Sequence, residues 1–182
     1  MTRRQMLLST AYGFVIVALA TSVASHRSAL AIGPDQEQAE LANALNGVKV
    51  SLQQGFTASE REGQPISGKF EMHEGKLQLS VYTAKEGKFF EVIVDHTTGA
   101  VGKVEPITEG DDLAHAKSQK AAMERAKVGL ADATTKAKGQ AKGETGDVLV
   151  VSAVPELKDD RPAATFVLLQ GKKFSTASER LD

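Results

Sequence analysis

Residues 63–69, Gly-Gln-Pro-Ile-Ser-Gly-Lys, have the glycine and lysine spacing of a phosphate-binding loop. In such a loop backbone N–H groups cradle the phosphates, and a Ser or Thr after the lysine ligates magnesium. Here the next residue is Phe70, and the context is helix to strand rather than strand to helix. The stretch therefore predicts a helix-ending turn. His73-Glu74 matches half of a zinc-protease motif, but the second His would fall at Leu77, in a segment with strand alternation. Beyond the N-terminal leader the other histidines are His96, beside Asp95, and His115, near Asp111 and Asp112. Asp111 or Asp112 is better explained as an N-cap and dipole complement. A metal site needs three or four converging ligands, and the spacing brings at most two near any histidine. Asp, Glu, Ser and His are present, but in no catalytic spacing. No catalytic residue, cofactor-binding residue or metal ligand is predicted.

Composition narrows the field further. The chain has 182 residues and no cysteine, which excludes disulfides, thiolate metal sites and a cysteine nucleophile. A net charge of −1 gives no general attraction to nucleic acid. The lysines at 117, 120, 127, 136 and 138 predict a solvated helix face. Arg3 and Arg4, the apolar run 7–23 and Ala29-Leu30-Ala31 resemble an export signal cleaved after Ala31. Thr2-Arg3-Arg4-Gln5-Met6-Leu7 fits the twin-arginine and the general secretory route alike, and an uncleaved anchor is the alternative. The mature chain is expected to be periplasmic or secreted, with the membrane involved only through that signal.

The elements follow from periodicity. Pro34-Asp35 opens a helix with Asp35 as candidate N-cap, and Leu41, Leu45, Val48 and Leu52 share one helical face. Ser51 caps a fresh helix running to about Glu62. Ile66, Gly68, Phe70 and Met72, then Leu77, Leu79 and Val81, then Phe90, Val92 and Val94 alternate with polar residues, which predicts three strands. Asp95-His96-Thr97-Thr98-Gly99 turns the chain, with Gly99 free to take positive φ, and residues 100–104 resume extended structure. One longer helix is predicted from Gly110-Asp111-Asp112, striped by Leu113, Ala116, Met123, Ala126, Leu130, Ala133 and Ala137 and ended by Gly139 and Gly143. Strands at 148–154 and 163–169, joined by a polar loop at 156–161, precede a last strand at 174–178.

An internal repeat is visible. Lys49-Val50-Ser51-Leu52 matches Lys127-Val128-Gly129-Leu130, and Gly87-Lys88-Phe89-Phe90 matches Gly171-Lys172-Lys173-Phe174. The expected fold is α+β: two tandem units, each a helix packed on an antiparallel β-sheet. Residues 1–31 would be the signal, 32–108 the first unit and 109–182 a degenerate second. Units this small bury too little surface to be robust alone, so they are expected to pack together or to pair sheet edges.

The run Phe90-Glu91-Val92-Ile93-Val94-Asp95-His96-Thr97-Thr98-Gly99-Ala100-Val101 resembles the hallmark of PepSY domains, an aromatic-acidic-apolar strand entering Asp-x-x-Thr-Gly. The resemblance covers residues 49–104 well and 127–182 weakly. It implies an extracytoplasmic module without catalytic residues or cofactor, binding a protein or peptide, with a peptidase among the candidates. Asp95, Thr98 and Gly99 carry over only as structural turn residues. On the strand faces turned away from the helix, Tyr82, Phe89, Ile93, Glu71 and His73 form a candidate partner surface. The alternative is that the second unit covers it. The runner-up function is a periplasmic sensor of a small ligand or metal. Neither the partner nor the oligomeric state is legible.

Overall fold

The computed structural model describes residues 34–140 and 147–182. The export signal and Gly143 lie outside the described residues. Among the described residues the fold is α+β, with four helices and one seven-stranded antiparallel sheet in the order β4-β3-β2-β1-β5-β6-β7. The helices are α1 (Pro34–Leu45), α2 (Leu52–Ser59), α3 (Gly110–Arg125) and α4 (Leu130–Gln140). The strands are β1 (Gln64–His73), β2 (Lys76–Lys85), β3 (Lys88–Val94), β4 (Val101–Ile107), β5 (Val148–Lys158), β6 (Arg161–Gln170) and β7 (Lys173–Arg180).

Alternation sorts the sheet into two faces. Gly68, Val81 and Val92 stand opposite one another on β1, β2 and β3, as do Phe70, Leu79 and Val94. This face takes α2. Gly68 is the reason α2 can lie so close: a Cβ there would meet Phe56 Cε1 at 2.6 Å and Leu52 Cδ1 at 3.1 Å. Gly55 on α2 is the counterpart, since a Cβ there would meet Leu79 Cδ2 at 2.8 Å. Gly68 also faces Ala153 across the β1–β5 seam, the contact that joins the two halves of the sheet. Ala153 faces Phe166 and, beyond it, Ala177. The same apolar face thus continues into the second half, where α4 packs on β5, β6 and β7 and beside α2.

A shared backbone device starts α2 and α4. The N–H groups of Lys49 and Val50 both donate to the carbonyl of His96, at 3.0 and 3.1 Å. Those of Lys127 and Val128 both donate to the carbonyl of Leu181, at 2.6 and 3.0 Å. In each half, the amides just before a helix are satisfied by a carbonyl just past the third strand, which fixes where the chain enters that helix. Ser51 adds a capping box: its Oγ accepts from Gln54 N at 3.2 Å and Gln54 Oε1 accepts from Ser51 N at 2.8 Å.

Four expectations need correction. The long helix predicted from residue 110 is two helices, broken at 126–129, because Lys127 and Val128 turn their amides to Leu181 instead of continuing the helix. Asp111 and Asp112 sit inside the first turn of α3; the N-cap is Glu109, which makes no side-chain cap bond. Pro34 already begins α1, so Asp35 is inside that helix rather than its cap. The loop predicted at 156–161 is a tight turn at Asp159 and Asp160, both with positive φ (50° and 61°), and the strands on either side run longer than periodicity suggested. Asp tolerates this left-handed backbone better than most residues.

Gly68→Ala should cost about 1–3 kcal/mol, the usual range for overpacking a filled core. Chemical denaturation measures it; a loss within error would show that Phe56 shifts freely and that the glycine is not what sets the α2 approach.

Candidate functional site

The opposite face of the sheet is polar and half-open. Ser67, Tyr82, Glu91 and Glu105 face one another across β1, β2, β3 and β4. Lys69, Ser80, Ile93 and Lys103 form the adjacent row, and Glu71 faces Gln78 beyond it. α3 crosses this face. Near its start Asp112 Oδ1 accepts from the Tyr82 hydroxyl at 2.9 Å. Midway, Ser67 Oγ donates to Gln119 Oε1 at 2.7 Å, both side chains buried. At its end Arg125 donates to the Asp160 carbonyl at 3.0 Å.

The predicted partner residues divide here. Tyr82 and Phe89 are 5% and 7% exposed, so neither ring is offered to a partner. For Tyr82 the alternative applies: the second half, through α3, covers it. Phe89 is packed between Ala84 and Ile107 on neighbouring strands. Ile93, Glu71 and His73 remain half-exposed. They form an open strip that continues onto exposed Lys103 and Glu105.

The electrostatics of the strip are set by burial. Lys69 Nζ lies 2.7 Å from Glu71 Oε2. Ser80 Oγ donates to Glu71 Oε1 at 2.9 Å and accepts from Gln78 Nε2 at 2.8 Å. Burial raises the Glu91 carboxyl above its ordinary range; a bond from Ser80 partly offsets this, and Glu71 adds to it. Burial, with Glu91 and the Asp112 bond, raises the Tyr82 phenol far above its usual value, so it stays a donor. Ser80 is fully buried, so its hydroxyl cannot reach a substrate. Residues 64–69, the phosphate-loop lookalike, lie in strand β1, and Lys69 is held by Glu71. Among the described residues no group of three or more His, Asp or Glu is placed to hold a metal ion. A groove of about 390 Å³ on the α2 face is lined by Thr57, Ala58, Arg61, Glu62, Gly99 and Val101, none of them a predicted partner residue.

Asp95, Thr98 and Gly99 form a bonded turn after β3. Asp95 Oδ1 accepts from Thr97 N at 2.8 Å and from Thr98 N at 2.7 Å. Gly99 N donates to the Asp95 carbonyl at 2.8 Å, and Gly99 has φ of 77°. Thr98 Oγ1 accepts from Ala100 N at 3.3 Å. These bonds fix the loop whose His96 carbonyl receives Lys49 and Val50. The backbone N–H groups of Thr98 and Thr97 lower the Asp95 carboxyl to about 2.

Sequence reasoning missed Asp112, Gln119 and Ser67 as tertiary partners. Only contacts distant in sequence reveal them, and no local spacing signals them. No helix among the described residues is long and apolar enough to cross a membrane. Comparison of the chain with protein-family models, curated proteins and solved structures finds no match.

Because the folded Asp95 carboxyl is depressed, the unfolded chain binds more protons on acidification, and the turn's contribution is lost as pH falls. Asp95→Ala should lower the melting temperature at neutral pH. The gap to the native protein should close as pH drops from the ordinary 3.8 through about 2. A gap independent of pH over that window would show that the carboxylate does not hold the turn.

Proposed function

We propose that the chain is an exported, non-catalytic binding module of PepSY type, built as two tandem units, that restrains a peptidase or another envelope protein by covering part of its surface. The observation that carries this reading is the open strip of Glu71, His73, Ile93, Lys103 and Glu105: the half-exposed Ile93 side chain among charges of both signs, on a sheet backed by α2. Such a centre-and-rim pattern suits a protein partner. The Asp95 turn supports the family resemblance, because Asp95, Thr98 and Gly99 all bond the backbone of the turn. The export signal expected at residues 1–31 supports an encounter outside the cytoplasm.

Covering by the sheet face fits better than strand addition at β4. Pro106 removes a donor from that edge, and the register shift opposite Ile93 and Val94 twists it.

The test is inhibition of an extracytoplasmic metallopeptidase by the purified protein. Stoichiometric inhibition is expected, weakened at least tenfold by Ile93→Ser with the melting temperature held. Absence of inhibition together with tight, saturable uptake of a metal ion or small solute would favour the sensor reading instead.

A further inference from the structure

The two edges of the sheet are not alike. β4 is defended by Pro106, by the register shift opposite Ile93 and Val94, and by the charged pair Lys103 and Glu105, 2.9 Å apart. β7 has neither proline nor register shift, and its charged residues, Lys173, Glu179 and Arg180, stand at its ends. It pairs with β6 in unbroken register from Lys173 to Arg180. Its centre, Ser175-Thr176-Ala177-Ser178, is uncharged. An undefended edge is a template for another strand.

The hydrogen-bonding direction of β7 follows from its two ends. Gln170 and Lys173 face each other across the turn at Gly171 and Lys172, and Leu181 N donates to the Pro162 carbonyl at 2.9 Å. Main-chain groups alternate along an antiparallel pair. Lys173, Ser175, Ala177 and Glu179 therefore direct theirs to β6. Phe174, Thr176 and Ser178 direct theirs outward.

We propose that β7 is a homodimer seam, in which two copies pair their β7 strands antiparallel about a two-fold axis through Thr176. In that register Thr176 meets the partner's Thr176, and Phe174 meets the partner's Ser178, each through outward-facing main-chain groups. The side chains agree with it. Lys173 meets the partner's Glu179 on the same sheet face, twice over by symmetry. Between Lys173 and Glu179 no like charges face each other. Arg180, the last residue of β7, stands opposite the partner's Lys172 but is already neutralised by Asp182, at 2.6 and 2.9 Å. Opposed Thr–Thr and Lys–Glu pairs favour this register over slipped ones. Gln140 donates to one Glu179 oxygen and leaves the other for the lysine. The seam lies at the opposite end of the sheet from the strip at Glu71 and Ile93, so the inference does not rest on the proposed function.

Sedimentation velocity of the purified protein, from micromolar to millimolar concentration, tests the seam. A monomer–dimer equilibrium is expected. Lys173→Glu should abolish the dimer by setting like charges opposite each other, and the exchange Lys173→Glu with Glu179→Lys should restore it. Thr176→Pro, which removes an outward N–H that β6 does not use, should abolish it with the fold intact by circular dichroism. A monomer at every concentration, or a dimer that survives Lys173→Glu and Thr176→Pro alike, would overturn the proposal.

Discussion

A bare stretch of backbone at Gly68 is the constraint from which the rest of the structure follows. Phe56 rests on it, so α2 sits within van der Waals reach of the sheet. Ala153 faces it across the seam, so the second half joins edge to edge with no bulky side chain at this pair. The buried residues on either side, from Phe56, Leu79 and Val81 to Phe166 and Leu168, then form one continuous core. A side chain at this position would push the helix off one half and crowd the join with the other.

The two carbonyls of His96 and Leu181 do for the helices what Gly68 does for the strands. Each gathers two amides and fixes where a helix begins, at Leu52 and at Leu130. In the first half the carbonyl is carried by a loop that Asp95 and Gly99 hold rigid. In the second it is carried by the segment just after β7, where Leu181 is fully buried. The conspicuous turn motif thus acts at a distance, because its side chains order the loop and the loop's backbone orders α2. The polar face, with α3 laid across Tyr82 and Ser67, is left half-open beyond that helix.

Much of this was legible from periodicity. Leu79, Val81, Val92 and Val94 alternate with polar residues and are buried as alternation requires. The correspondence of Lys49-Val50 with Lys127-Val128 marked two positions that make the same backbone bonds. The break between α3 and α4 was not legible, because Ala126 continues the small-residue stripe and the bond that interrupts it comes from the far end of the chain. The same holds for the candidate site. Nothing local tells that Asp112 receives the Tyr82 hydroxyl, or that Ser67 and Gln119 bond in the interior. Alternation put Phe89 on the outward face, but it could not tell that the ring there is buried as part of the core cluster.

Native-state hydrogen exchange at the β1–β5 seam tests the central claim, that one glycine-centred join makes the two halves a single cooperative unit. The amides of Val81 and Val92 in the first half and of Phe166 and Leu168 in the second should exchange with one common opening free energy, equal to that of global unfolding. Exchange of one set at a distinctly lower free energy, with the other still protected, would contradict it and show two halves that merely touch.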